Sequence, residues 1–453
     1  MTRSSLGFIL RAAELLNKKT ARLDDQDLKR FVQSFLDRRE SFLGLIRGHG
    51  SPLYAVDTAA LTLRVKQFRE AFLAAIPEAK FFFALKSNSH PLIATTLVRK
   101  GFGLDVSSGR ELEAAIDHGA QDIVFSGPGK LPEELEIAIR HSSHVTVLID
   151  SFGELKRLEE VASRMDTAVR AGVRITTDES GIWRKFGIPL DSLGKFFESA
   201  DGCRHVNVCG VQFHLSWNMN SEPHVIFLAR LGSELGRLGN KFRRRIRFID
   251  IGGGYWPEAG EWLQPAATPE GVLRTAMSEE LMSPHEHYWR PSAPITDFAQ
   301  HIGQALRKHL PDDMKCAIYA EPGRWLCHDA MHILLTVVDR KAPDVVITDG
   351  GTNAVGWERF ETDYFPVINL SRPGLKEHGC LVAGSLCTPH DIWGYSYFGD
   401  DIRPGDILLV PNQGAYTYSL RQHFIKPLPK SVELPRNHAH QAPALAPKNH
   451  STT

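Results

Sequence analysis

Several polar residues of this chain stand where an apolar run ends. Lys86 follows Phe81, Phe82, Phe83, Ala84 and Leu85, at the point where a buried strand would leave the core. The arrangement recurs. Asp105 lies in "GFGLDV", with Glu111 six residues on, and "VRAGVRI" ends near Arg174. His214 follows "NVCGVQF", and Gly252, Gly253 and Gly254 follow "IRFIDI". Glu321 follows "KCAIYA", with Arg324 three residues further.

These residue types share a chemistry. A lysine amine can form a Schiff base with an aldehyde cofactor such as pyridoxal phosphate. A glycine triplet directly after a strand leaves backbone N–H groups free to approach a phosphate closely. His214 could lie flat against a cofactor ring, and Glu321 could hold a pyridine nitrogen protonated, which strengthens the ring as an electron sink. Arg324 could help bind a phosphate or carboxylate. Each residue alone also has a plain structural reading. Lys86 could be a solvated strand-end charge, the glycines an ordinary turn and His214 a satisfied polar group. Glu321 and Arg324 could be a surface ion pair. Only a fold that gathers all these strand ends on one rim favours the chemistry.

The apolar runs predict such a fold. Eight of them, "KFFFAL", "GFGLDV", "DIVFS", "HVTVLI", "VRAGVRI", "NVCGVQF", "IRFIDI" and "KCAIYA", are separated mostly by amphipathic stretches such as "SGRELEAAIDHG". That alternation predicts an α/β architecture, a parallel (β/α)8 TIM barrel with its active site at the C-terminal strand ends. The expected barrel covers residues 51–325. Beyond it, "MHILLTVVDRK", "DVVITDGG", "GCLVAG" and "GDILLVP" predict a mainly β domain over 326–430, to which "SPLYAVD" near residue 53 donates a strand. Residues 1–50 read as a helical extension packed on the barrel or across a dimer, and 431–453, rich in Pro, Ala and His, as a disordered tail. Residues 256–295 break the rhythm and form a long insertion, the kind of loop that is functional or disordered. Within it "HEHYW" places His285 and His287 at a spacing a metal could use, but without cysteines or a second half. No metal is expected.

Composition narrows the class. The 453 residues hold 53 Lys plus Arg against 53 Asp plus Glu, so no global field favours nucleic acid or an anionic membrane. Six cysteines lack the spacing of a zinc site or disulfide framework, which fits a reducing, cytoplasmic setting. No apolar run reaches membrane-spanning length.

With its motifs taken in order, the sequence resembles the fold-type III pyridoxal-phosphate decarboxylases, the enzymes similar to diaminopimelate, ornithine and arginine decarboxylases. "FALKSNSHP", "FGLDVSSGRELE", "IVFSGPGK", "RKFGI", "GGGY", "EPGR", "GSLCTPHD" and "GAYTYS" carry the likeness, over roughly residues 52–426. The resemblance implies an alanine-racemase-type barrel followed by a β domain, and pyridoxal 5'-phosphate tied to Lys86. It implies that His214 stacks on the ring and that Glu321 meets its nitrogen. Gly252, Gly253, Gly254, Arg324 and Tyr416 match positions around the phosphate, and Asp105, Glu111 and Arg174 a polar cluster near the lysine. Cys387 matches a cysteine that reaches the neighbouring subunit's site and helps protonate the product carbon, so a homodimer with shared sites is implied. A thiol, ordinarily titrating near pH 8.5, can act as general acid near neutrality. The plain alternative for Cys387 is an inert buried thiol. Asp391 matches an acidic position near the substrate.

Two departures bear on the substrate. Relatives acting on diamino acids commonly place an acid directly after the cysteine to receive the distal ammonium, whereas this chain has Thr388, then Pro389 and His390. A hydroxyl cannot offset a buried ammonium as a carboxylate can. In "HLSWN", Trp217 and Asn218 stand where relatives have a small Gly-Ser pair. With Thr388, His390 and Asp391 lining the substrate, the expected reaction is α-decarboxylation of a modified or conjugated amino acid, such as a siderophore or other specialised-metabolite precursor. A diaminopimelate- or ornithine-type decarboxylase, an amino-acid racemase and a non-catalytic regulatory relative are the alternatives.

Overall fold

The computed structural model describes residues 3–17, 19–277, 286–356 and 362–435. Two compact units divide the chain. One comprises Leu61–Pro257 and Ala293–Cys327. The other gathers the stretch up to Ala60, Glu258–Ser292 and the chain from His328.

The first unit is the expected barrel. Its strands, Ala79–Ala84, Gly103–Val106, Ile123–Phe125, Val145–Ile149, Val169–Ile175, Val206–Phe213, Phe248–Asp250 and Ala317–Ala320, pair in sequence order. The last closes on the first, with Ala320 opposite Phe81, and every pairing is parallel. All eight runs read from the sequence are these strands. Being buried on both faces, such strands consist of nearly continuous apolar residues, which is why they were legible. Phe82, Val124, Leu148, Cys209 and Phe248 fill part of the barrel, and Phe248 stacks on Tyr319 at 4.6 Å. Gly210 makes room for that ring, since a Cβ there would lie 2.1 Å from Phe248 Cζ.

The second unit is built on an eight-stranded sheet. Its order is Val345–Thr348, Glu377–Ala383, Ile392–Phe398, Ile368–Asn369, Ile407–Val410, Met331–Ala342, Leu53–Val56 and Lys430–Glu433. The donated strand is present, antiparallel to Met331–Ala342 with Val56 opposite Met331.

Four expectations change here. First, the tail does not begin at 431: Lys430–Glu433 adds in parallel to the open edge of Leu53–Val56, satisfying backbone groups that would otherwise lack partners, and Leu434 is buried. Residues 436–453 lie outside the described residues. Second, Leu53–Val56 and Glu258–Ser292 belong with the β unit, so the barrel unit is narrower than 51–325 and is interrupted. Third, helices Asp25–Leu36 and Arg39–His49, expected on the barrel or across a dimer, belong to the β unit and pack into its core. Phe31, Val32, Phe35 and Phe42 join Leu334, Ile368, Phe398 and Leu409 in one core. Asp24 caps the first helix by accepting the N–H groups of Gln26 and Asp27.

Finally, the insertion is ordered where described. Glu261–Leu263 pairs with Tyr288–Arg290, which pairs in turn with Ala21–Arg22. His285 lies outside the described residues. His287 is buried, stacked on Tyr364 at 3.5 Å, with Nε2 2.8 Å from Glu377 Oε1.

Candidate active site

Lys86 sits in a 3₁₀ turn, Leu85–Ser87, directly after the first barrel strand. Its Nζ donates to Asp105 Oδ2 at 2.8 Å, and Asp105, at the end of the second strand, is fully buried. The other Asp105 oxygen accepts from Ser126 Oγ at 2.6 Å. The amine is therefore held by an oriented carboxylate instead of trailing into solvent. Glu111 lies in the first turn of the next helix, Gly109–Asp117, which Ser108 caps, and its carboxylate accepts the Ser107 N–H at 2.7 Å. Burial pushes the Glu111 carboxyl up, opposed by the Ser107 hydrogen bond.

At the other strand ends, His214 Nδ1 lies 3.2 Å from Glu321 Oε2, and the Gly253 N–H points at the same nitrogen from 3.3 Å. The tautomer decides which bond is made. Burial, reinforced by the positive charges of Lys86 and Arg174, pushes the His214 imidazole well below its ordinary value, so the ring is neutral at physiological pH. Glu321 is buried, with Gln212 Nε2 3.4 Å from Oε1, which excludes the reading of Glu321 and Arg324 as a surface ion pair.

The glycine triplet is a cradle that side chains cannot enter. A Cβ on Gly253 would lie 2.2 Å from the Glu321 carbonyl oxygen, and one on Gly254 would lie 2.0 Å from that of Leu215. Gly254 also has φ +85°, a region L side chains rarely adopt. Behind the cradle, Tyr255 stacks on His224 at 5.3 Å, and burial drives the His224 imidazole down to about 3. Arg324 lies 4.4 Å from the ring of Trp256, two residues past the triplet.

Arg174 is close enough to His214 for its charge to act there alongside that of Lys86. It lies over Phe186 at 4.5 Å and within 4.0 Å of Asp150. Asp150 neighbours the buried pair Lys130–Glu154, joined at 2.7 Å. Lys130 also donates to the carbonyls of Gly127 and Leu148. Trp217 is exposed, has φ +54° and meets Trp183 edge-on at 6.3 Å.

Cys387, Thr388, His390, Asp391 and Tyr416 belong to the β unit. Cys387 is exposed, not the inert buried thiol of the plain reading. Thr388 is half-buried and His390 exposed. Asp391, expected near the substrate, is buried. Its oxygens accept the N–H groups of Thr352 at 2.7 Å and Leu386 at 2.6 Å, which braces the cysteine loop. Tyr416 is half-buried in a left-handed turn, φ +57°.

Gln212, Asp250 and Ser126 were not singled out from the sequence. Gln212 carried a signal: it lies two residues before His214, at the end of the strand Val206–Phe213, where alternation tends to aim both side chains to the same side. Asp250 was hidden inside "FIDI".

The barrel with these strand ends defines a pyridoxal-dependent enzyme. Residues 60–328 match the family model described as pyridoxal-dependent decarboxylase, pyridoxal binding domain. The chain belongs to that family and is a pyridoxal-phosphate-dependent amino acid decarboxylase. It is similar to the L-glutamyl-[BtrI acyl-carrier protein] decarboxylase of Niallia circulans, 27% identical over 90% of this chain and 93% of the relative. The diaminopimelate decarboxylase of Aquifex aeolicus is 26% identical over 91% of each chain. Among solved structures, diaminopimelate decarboxylase from Helicobacter pylori complexed with L-lysine aligns with TM-score 0.69. It is 23% identical and covers 86% of this chain and 94% of that one, a likeness of fold. Among the described residues no helix is long and apolar enough to cross a membrane.

The residues present fit the cofactor: an amine on a buried carboxylate, a neutral imidazole, a buried acid and a backbone cradle closed to side chains.

Proposed function

We propose that the chain decarboxylates an amino acid whose distal group is conjugated, and not a free diamino acid. One observation carries this reading. Among residues 385–391 the single carboxylate is Asp391, and both its oxygens are bonded to backbone N–H groups. That carboxylate is oriented by the backbone, and the position directly after Cys387 carries the Thr388 hydroxyl, which cannot offset a buried ammonium but can hydrogen-bond a neutral amide or thioester carbonyl. The Niallia relative supports the reading, since its name gives a glutamyl group borne on an acyl-carrier protein as what it acts on.

In this reading Lys86 tethers the cofactor and is held for that by Asp105. The cradle of Gly252, Gly253 and Gly254, with Arg324, takes the phosphate. Glu321 takes the ring nitrogen, and His214, being neutral, can lie against the ring without opposing its charge. Glu111 and Arg174 act from further out: Glu111 by fixing the turn after Asp105, Arg174 by its charge near His214. When bound, the cofactor supplies an electron sink for the pair left by the departing carboxylate. Cys387 delivers a proton to the α-carbon. Its exposure fits a thiol that serves the site of a second copy, in a homodimer with shared sites. The six free thiols fit a reducing, cytoplasmic setting.

Release of CO2 by the purified protein, across free diamino acids and their distal amide or thioester conjugates, tests the reading. Turnover of conjugates is expected. Strong turnover of free diaminopimelate or ornithine, with none on conjugates, overturns it. Inversion at the α-carbon without CO2 would make the protein a racemase. An absorbance band of the bound cofactor that disappears in Lys86→Ala, with no turnover at all, would point to a binding or regulatory role.

A further inference from the structure

Asp250 ends the seventh barrel strand, two residues ahead of Gly252, and none of the roles above uses it. It is completely buried. Oδ1 accepts the Gly252 N–H at 2.9 Å, which ties the carboxyl to the cradle. Oδ2 is buried and receives no hydrogen bond from a donor. The group beside it is another acid, Glu321 of the eighth strand. Gln212 from the sixth strand approaches Glu321, Asp105 from the second adds a third carboxylate, and Tyr255 closes the site from behind.

Two buried carboxylates in contact cannot both be ionised without a large cost, so one proton stays with the pair. The surroundings decide which acid keeps it. Glu321 has the Gln212 amide and the His214 ring as polar neighbours, whereas Asp250 has one backbone N–H and an otherwise unpartnered oxygen.

We propose that Asp250 is a positioning residue that holds a proton and donates it to Glu321, so that the pair's one negative charge stays on Glu321 and is aimed at the cofactor's ring nitrogen. Burial and the adjacent Glu321 both push the Asp250 carboxyl well above the usual range, in keeping with that assignment. The same residue then links both ends of the cofactor site, with Oδ1 fixing the phosphate cradle and Oδ2 orienting the acid for the ring. The proposal concerns the cofactor and is independent of which amino acid is consumed.

Infrared spectroscopy of the cofactor-loaded protein, with its aspartate carboxyls isotopically labelled, reads the proton directly. The expected result is a label-sensitive carboxylic-acid C=O band that persists well above the ordinary carboxylate pH range. It should vanish in Asp250→Asn. In Glu321→Gln, which removes the neighbouring charge, the band should titrate away at a lower pH than in the wild type. Should Asp250→Asn fail to fold, the Glu321→Gln shift still assigns the band to this pair. No label-sensitive acid band at neutral pH in the wild type would overturn the proposal and leave Asp250 an ionised brace for Gly252. So would a band unchanged by both substitutions.

Discussion

The carboxylate of Asp391 accepts the amide proton of Leu386 at 2.6 Å, one residue ahead of Cys387. With its second oxygen on the Thr352 N–H, it pins the cysteine loop to the turn after Val345–Thr348. Asp391→Asn cannot satisfy both amides as an acceptor, and one part-buried N–H loses its partner. A destabilisation of about 1–3 kcal/mol is expected. A lowered denaturation midpoint, with the cofactor's absorbance retained, is the measurement. An unchanged midpoint would contradict the bracing role.

Thr388→Asp returns a carboxylate to the position beside Cys387. Where hydrogen bonds to charged groups contribute about 1.5–3 kcal/mol, turnover of a free diamino acid should rise by roughly 10- to 100-fold relative to a conjugate. Competing substrates followed by CO2 release give the ratio. No change in it would remove Thr388 from the determinants of specificity.

Gly254→Ala places a Cβ against the Leu215 carbonyl and forces a side chain into φ +85°. The backbone strain alone is on the order of 1–3 kcal/mol, and the cradle must shift besides. The variant should retain less cofactor after dialysis than wild type while keeping its far-ultraviolet dichroism.

Lys130→Met leaves Glu154 buried beside Asp150 without its cation. Breaking a buried pair in this way costs about 3–5 kcal/mol. Replacing both residues with apolar ones should recover much of the loss, a comparison that denaturant titration resolves.

Acid should weaken the barrel unit through its buried imidazoles. The unfolded chain takes up protons near pH 6.5, whereas folded His224 resists until about 3 and folded His214 also titrates well below its ordinary value. Their stability contribution is whole above about pH 6.5 and falls with pH, by up to roughly 1.4 kcal/mol per unit for each group. Glu111 and Asp250, raised in the folded state, work the other way and lose stability as pH rises above the ordinary carboxylate range. Urea midpoints across pH should therefore fall on the acid side, and His224→Phe, which keeps the ring against Tyr255, should flatten that fall.

Legibility in the sequence followed the range of the interactions. Barrel strands declared themselves because double-sided burial makes each one a local apolar run, and a residue such as Lys86 or His214 could be placed by where its run stopped. Pairing between the ends of the chain left no local trace. Lys430–Glu433 reads as coil until Leu53–Val56 is seen to need a neighbour, and 256–295 reads as a loop until Tyr288–Arg290 meets Ala21–Arg22. Asp250 was illegible for another reason, because its meaning depends on Glu321, a strand away.

The composition of the β unit's core has a consequence for synthesis. Phe31, Phe35 and Phe42 leave the ribosome long before Leu334, Ile368 and Leu409, the residues that cover them. Barrel strands emerge in between and can pair with the strand just made, neighbour after neighbour. The apolar face of the N-terminal helix pair is therefore covered only after most of the chain has been made.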